Sequence, residues 1–94
     1  MPIRSFKDKR AEAIWNLEQV KSVSTDLQRQ ALKKLRMLNN SKTLNDLKIP
    51  PSNHLEKLLG DRKNFYSIRV NIQWRIVFKF DDGDFYDVEF IDYH

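Results

Sequence analysis

The 94-residue chain is 40% hydrophobic, carries a net charge of +4 and contains no cysteine. This length allows one domain with one core, the composition excludes a disordered chain, and without cysteine neither a disulfide framework nor a thiolate metal site can form. The start, MPIRSFKDKR, has no apolar signal segment and no later stretch has the length of a membrane span, so we expect a soluble cytoplasmic protein that does not enter a membrane.

Charge is divided unevenly along the chain. Residues 1–80 hold all 17 Lys and Arg against 7 Asp and Glu, whereas residues 81–94 hold 6 Asp and Glu and no Lys or Arg. A basic body favours polyanions such as nucleic acid or the ribosome surface, although a solvated charged surface explains the same excess.

The first half of the chain predicts a short strand and two helices. Residues 2–6 alternate apolar and polar side chains, as an edge strand does. Helical spacing of apolar residues follows over residues 8–18. A second helix starts with the capping-box pattern Thr25-x-x-Gln28 and ends at residues 39–41.

The second half predicts a β-meander. A connector at residues 43–53 includes one possible helical turn and an extended segment at residues 50–53. Strand-like runs then occupy residues 54–59, 65–70, 74–80 and 85 onwards, separated by turn residues. The order predicts an α+β fold over residues 1–94, in which two helices cover an antiparallel sheet.

Apolar pairing predicts the register of the last hairpin. A three-residue loop at residues 82–84 gives the pairs Phe80–Tyr86, Phe78–Val88, Ile76–Phe90 and Lys79–Asp87, whereas a two-residue loop sets Phe78 against Asp87. The first register keeps the apolar residues on one face.

The chain ends on three polar groups, Asp92, Tyr93 and His94. In the predicted register Asp92 lies beside Trp74, and Tyr93 shares the opposite face with Arg75. The three act together only where both faces of the sheet are reachable, for example at a bulge or at the end of a strand. Alternatively they are a polar tail.

The available side chains suit metal-independent RNA cleavage. Imidazole and carboxylate can transfer protons, Tyr93 can donate a proton or stack on a base, and Arg75 can bind phosphate. Further cations for the RNA backbone are Lys57, Arg62, Lys63, Arg69 and Lys79. There is no Gly-rich phosphate loop, no nucleophile elbow and no metal-ligand spacing, so no cofactor or metal is expected.

The run PPSNHLEKLLGDRKNFYSIRVNIQWRIVFKF with the terminal DYH resembles the HigB-type toxins of the RelE/ParE superfamily. The resemblance extends from residue 3 to residue 94 and implies the RelE-like microbial ribonuclease fold. It implies a type II toxin that cleaves mRNA in the ribosomal A site, with catalytic roles for Asp92, Tyr93 and His94 and a phosphate contact by Arg75.

The same resemblance implies partners. These are a HigA-type helix-turn-helix antitoxin, the ribosome with its mRNA, and operator DNA reached only through the antitoxin complex. One position departs from the family pattern: Leu59 stands where lysine is common, so that Lys57, Arg62 or Lys63 would have to supply the missing cation.

Two other functions remain open at this point. One is a non-catalytic toxin on the same scaffold, similar to the ParE relatives that act on DNA gyrase. The other is a basic nucleic-acid-binding domain without toxicity.

Overall fold

The computed structural model describes residues 2–60 and 63–93. In this part of the chain two helices precede a four-stranded antiparallel sheet of order β1-β2-β3-β4. The elements are α1 (Lys9–Trp15), α2 (Thr25–Asn39), β1 (Glu56–Lys57), β2 (Phe65–Arg69), β3 (Trp74–Asp81) and β4 (Asp84–Asp92). The predicted α+β class is confirmed, as is the order of two helices followed by an antiparallel meander, but the predicted N-terminal strand is not formed.

The two helices begin with side-chain caps. Asp8 caps α1, where its carboxylate accepts a hydrogen bond from the backbone N–H of Arg10 at 3.0 Å. The cap of α2 is Ser24, whose hydroxyl accepts from the N–H of Leu27 at 3.1 Å. The N-cap is therefore one residue earlier than the predicted Thr25, and the predicted capping box does not form, because Gln28 instead bonds to backbone groups of the preceding loop.

Helix α1 is shorter than the predicted segment. It ends at Trp15, and Leu17 has a left-handed backbone with φ 64°. A leucine rarely adopts this conformation within a helix. The chain therefore leaves the helix before residue 18.

The connector contains two 3₁₀ helices, Leu44–Lys48 and Pro51–Asn53. The first agrees with the expected turn, but the second replaces the extended segment expected at residues 50–53. Asn53 explains the difference, because its fully buried side chain donates to the carbonyl of Leu47 at 3.0 Å. The chain must turn between Leu47 and Asn53 to bring these two groups together.

The core lies between the helices and one face of the sheet. Trp74 stacks on Phe90 with ring centroids 4.5 Å apart, and Phe78 meets Phe85 edge to face at 5.2 Å. The fully buried apolar side chains include Ala31, Leu35, Leu38, Leu47, Ile68, Ile76, Phe78, Phe85, Val88 and Phe90. No helix in the described ranges combines the length and apolar character needed to cross a membrane.

The β3–β4 hairpin combines a two-residue loop with a bulge. Asp81 pairs with Asp84 across Asp82 and Gly83, which have φ values of 49° and 83°, as a tight hairpin turn requires. The register then shifts between Val77 and Lys79, and the pairs Ile76–Phe90 and Trp74–Asp92 follow.

The predicted register is thus right beyond the bulge and wrong at the turn. Phe80 lies opposite Phe85, and Lys79 lies opposite Tyr86 and not Asp87. The extra residue lies at Asp87, whose φ is 54°. A bulge adds one residue to one strand and so converts one register into the other.

The N-terminal segment holds the bulge in place. It runs parallel to β4 through the isolated bridges Ile3–Phe85 and Phe6–Val88, and does not form the predicted strand. Between them the hydroxyl of Ser5 accepts from the N–H of Asp87 at 2.9 Å, and its carbonyl accepts from Val88.

Replacing Ser5 with alanine should destabilise the protein. Ser5→Ala leaves the Asp87 N–H without its acceptor, and we expect the free energy of unfolding to fall by about 1 kcal/mol. Chemical denaturation followed by circular dichroism measures this change. Ser22→Ala, at an exposed loop position, is the control, and equal stability of the two variants would contradict the role of Ser5.

Replacing Asp8 should cost more. Its carboxylate caps α1 and also accepts from the N–H of Phe90 at 3.0 Å, so Asp8→Ala removes two acceptors at once. We expect a loss of about 1–3 kcal/mol in the free energy of unfolding. Asp26→Ala, at an exposed position in the first turn of α2, should change it by less than about 0.5 kcal/mol.

Candidate active site

The end of β4 is held by three elements. The N–H of Phe90 donates to Asp8, and its carbonyl accepts from Nη2 of Arg10 at 3.1 Å. Two residues later Asp92 pairs with Trp74, and the N–H of Tyr93 donates to the carbonyl of Gln73 at 2.7 Å. The segment is therefore an ordered strand end up to Tyr93.

Asp92 and Tyr93 lie on opposite faces of the sheet, as the register predicted. Asp92 is exposed on the face of its partner Trp74, and its Oδ2 accepts from Nε2 of Gln73 at 2.9 Å. Tyr93 lies on the face of Arg75, whose Cζ is 5.4 Å from the ring centroid. Both side chains are reachable because β4 stops here. His94 lies outside the described residues.

Arg75 is buried, with 7% of its surface exposed. Its Nε donates to the hydroxyl of Ser67 at 2.9 Å, and its Nη2 donates to the carbonyl of His54. Nη2 also lies 3.8 Å from a carboxylate oxygen of Glu56. A buried guanidinium needs such partners, so these contacts hold Arg75 beneath Tyr93.

The loop that carries the carbonyl of His54 is held by side chains of helix α2. The preceding residue, Asn53, accepts from Nζ of Lys34 at 2.5 Å and donates to the sulfur of Met37 at 3.1 Å. Burial, together with the neighbouring charge of Lys33, holds the pKa of Lys34 below its usual value. Helix α2 thereby fixes the loop against which Arg75 rests.

Two of the predicted RNA-binding cations share the face of Arg75. Arg69 pairs with Arg75 across β2 and β3, and its Nε donates to the carbonyl of Asn71 at 3.0 Å. Lys79 lies four residues along β3 from Arg75 and is half-buried. Side chains an even number of residues apart point to the same side of a strand, so the three cations form one row.

The other predicted cations do not join this row. Lys57 is exposed and pairs with Tyr66, which places it on the opposite face of the sheet. Lys63 is exposed in the turn before β2. Arg62 lies outside the described residues.

Sequence reasoning missed two residues of this site. Ser67 supplies the hydroxyl that binds Arg75, and Gln73 supplies both an amide and a carbonyl to the end of β4. The correct register already implied that Gln73 lies opposite Tyr93, so the signal for Gln73 was present. Nothing in the sequence marks one serine as the partner of a buried arginine.

A metal site is not formed by the described residues. In residues 2–60 and 63–93 no three His, Asp or Glu side chains are grouped as ion ligands would be. A groove of about 300 Å³ lies between α1 and α2, lined by side chains that include Ile14, Leu17 and Leu32. None of its lining residues belongs to the end of β4.

Comparison with known proteins gives several relatives. The chain is 39% identical over 62 residues to an uncharacterized protein of Haemophilus influenzae, which covers 66% of this chain and 61% of that protein. It is 35% identical over 79 residues to "Toxin HigB-1" of Vibrio cholerae serotype O1, with 83% of each covered. A 40-residue segment is 48% identical to "Endoribonuclease HigB" of Proteus vulgaris, covering 43% of this chain and 44% of that protein.

A family model matches nearly the whole chain. It describes a RelE-like toxin of the type II toxin–antitoxin system HigB and covers residues 4–94. This span includes both helices, all four strands and the end of β4. The chain therefore belongs to the HigB family of RelE-like toxins of type II toxin–antitoxin systems.

Proposed function

We propose that this chain is an endoribonuclease that cleaves mRNA in the ribosomal A site and thereby inhibits translation. The observation that carries the proposal is the end of β4, where Gln73 holds the Asp92 carboxylate on one face and the next residue, Tyr93, lies over the buried Arg75 on the other. The relative named an endoribonuclease matches the chain at 48% identity over 40 residues. A basic body suits both RNA and the ribosome surface.

The reaction is a transfer of the phosphodiester to the neighbouring 2′-hydroxyl. A base removes the 2′-OH proton, the 2′-oxygen attacks phosphorus, and the bond from phosphorus to the 5′-oxygen breaks. A general acid protonates that leaving oxygen, which gives a 2′,3′-cyclic phosphate and a 5′-hydroxyl. Cationic side chains stabilise the charge on the phosphoryl oxygens, so the step needs no metal ion.

The proton-transfer groups are Asp92 and His94. Which of the two is the base stays open, since both a carboxylate and an imidazole can act at neutral pH. Tyr93 stacks on a base or donates a proton, and Arg75 lends its positive charge to the transition state. Because Nε and Nη2 of Arg75 already have protein partners, its contribution is mainly electrostatic.

Arg69 and Lys79, on the same face as the buried Arg75, contact the phosphate backbone of the RNA. We assign contacts with the RNA backbone also to Lys63, in the exposed turn before β2, and to its sequence neighbour Arg62, whereas Lys57, on the other face, contacts the ribosome or the flanking RNA. Leu59, at the position where lysine is common in the family, is 90% exposed. The position is therefore open to RNA but contributes no charge here.

The partners follow from the toxin family. We propose a HigA-type antitoxin with a helix-turn-helix domain that neutralises this chain in the cytoplasm and represses the operon as a complex. Operator DNA is then contacted only through the antitoxin. Finding an adjacent gene for a small helix-turn-helix protein would support this arrangement. The absence of such a gene would argue against it.

Removing the carboxylate of Asp92 should abolish toxicity. We expect Asp92→Ala to lower mRNA cleavage at least about 100-fold, the typical contribution of a proton-transfer group. Growth after induction and mapping of transcript 5′ ends measure the effect. Asp81→Ala, an exposed aspartate at the other end of the hairpin, is the matched control and should remain toxic.

The same experiment separates nuclease from gyrase action. Cuts in mRNA at defined codon positions, in cells that express the wild-type toxin, would support cleavage on the ribosome. Intact mRNA with a DNA-damage response indicates gyrase as the target. Continued growth arrest by a folded Asp92→Ala protein would show that the end of β4 is not the active site.

Arg75→Lys should lose activity although it keeps the charge. Lysine cannot donate to Ser67 and His54 in the geometry of a guanidinium, so we expect the free energy of unfolding to fall by about 2–4 kcal/mol. Cleavage, measured at a temperature where circular dichroism shows a folded protein, should fall at least about tenfold, since the support of Tyr93 is lost. Arg36→Lys, on the exposed side of α2, should change neither quantity.

A further inference from the structure

Gln73 has an unusually fixed position for a half-buried turn residue. It lies between β2 and β3, where the side-chain oxygen of Asn71 accepts from the N–H of Gln73 at 2.8 Å and from the N–H of Trp74 at 2.7 Å. The carbonyl of Asn71 in turn accepts from Nε of Arg69. Hydrogen bonds to Asn71 thus hold the turn, from Arg69 before Gln73 and from Trp74 after it.

From this position Gln73 contacts both Asp92 and Tyr93 at the end of β4. Its Nε2 donates to Oδ2 of Asp92 at 2.9 Å, and its carbonyl accepts from the N–H of Tyr93 at 2.7 Å. One residue therefore sets the rotation of the Asp92 carboxylate and the path of the backbone that follows it.

We propose that Gln73 is the positioning residue of Asp92. A carboxylate held by one oxygen cannot rotate freely, so the amide bond to Oδ2 presents Oδ1 to the RNA in a defined direction. An amide is neutral, and it orients the carboxylate without cancelling the negative charge. The inference rests on the proposed function, because it assigns to Gln73 a role in the reaction of Asp92.

Stability alone does not account for this contact. A hydrogen bond between two side chains with an exposed partner contributes little to folding, because water replaces it at nearly equal free energy. Geometry in an active site is more sensitive, since a displacement of about 1 Å lowers a rate about 100-fold. Loss of the Gln73 amide is therefore expected to change the rate of cleavage more than the stability of the fold.

The test is a double-mutant cycle with single-turnover cleavage of ribosome-bound mRNA. We expect Gln73→Ala to lower the cleavage rate constant about 10- to 100-fold, and to leave the toxin concentration for half-maximal rate unchanged. In the Asp92→Ala background the same change should have no further effect, because the group it positions is absent. The cycle isolates the interaction between the two residues.

A second glutamine provides a matched control. Gln30 on α2 donates to Asp26 at 3.0 Å, in the same kind of exposed pair but away from the site. Gln30→Ala should cleave at the wild-type rate. Gln73→Glu keeps the shape of Gln73 but places a second carboxylate against Asp92, and it should be at least as slow as Gln73→Ala.

Three outcomes would overturn the proposal. Wild-type cleavage by Gln73→Ala is the first. An equal loss in the wild-type and Asp92→Ala backgrounds is the second, and it would indicate that Gln73 contacts the RNA itself. In either case the proposed function stands. Full activity of Asp92→Ala is the third outcome, and it would overturn both the role of Gln73 and the proposed function.

A spectroscopic measurement keeps the proposal testable if the Gln73 variants do not fold. The side-chain amide of Gln73 gives its own ¹H–¹⁵N resonances in the otherwise unmodified protein. These should move on Asp92→Ala and stay in place on Asp81→Ala. Resonances that do not respond to Asp92→Ala would show that the bond is absent in solution, and would overturn the proposal.

Discussion

The bulge at Asp87 is the constraint on which the rest of the structure depends. The two-residue turn pairs Phe80 with Phe85, and a regular strand from there would place Glu89 opposite Ile76 on the face of the helices. One extra residue returns Phe90 to the core, where it stacks on Trp74. The bulge also decides which terminal side chain meets Arg75, since without it Asp92 and Tyr93 would exchange faces.

The sequence predicts the register in the core better than the turn that precedes it. Apolar alternation identifies the Ile76–Phe90 pair because a one-residue slip would bury charged groups, a large cost for the whole hairpin. The turn carries no such penalty, and the bulge depends on Ser5, which is distant from Asp87 in the sequence. Local pattern cannot reveal a conformation that a distant segment stabilises.

In the candidate active site, too, some features follow from the sequence and others do not. The register correctly predicted that Tyr93 shares a face with Arg75, because it follows from strand pairing. The burial of Arg75 was not predictable, since its partners are a hydroxyl, a carbonyl and a carboxylate from three separate segments. A buried arginine needs such partners, and because they occupy its Nε and Nη2 they leave fewer of its donors free for a phosphate.

The carboxylates at the acidic end of the chain have different kinds of partners. Asp84 forms an ion pair with Arg4 at 3.3 Å, but Asp87 meets the hydroxyl of Ser5 and Asp92 meets the amide of Gln73. The amide of Gln73 is neutral, so it fixes the geometry of the Asp92 carboxylate and leaves its negative charge in place. The aspartates of β4 are therefore held by a cation at Asp84 and by neutral donors at Asp87 and Asp92.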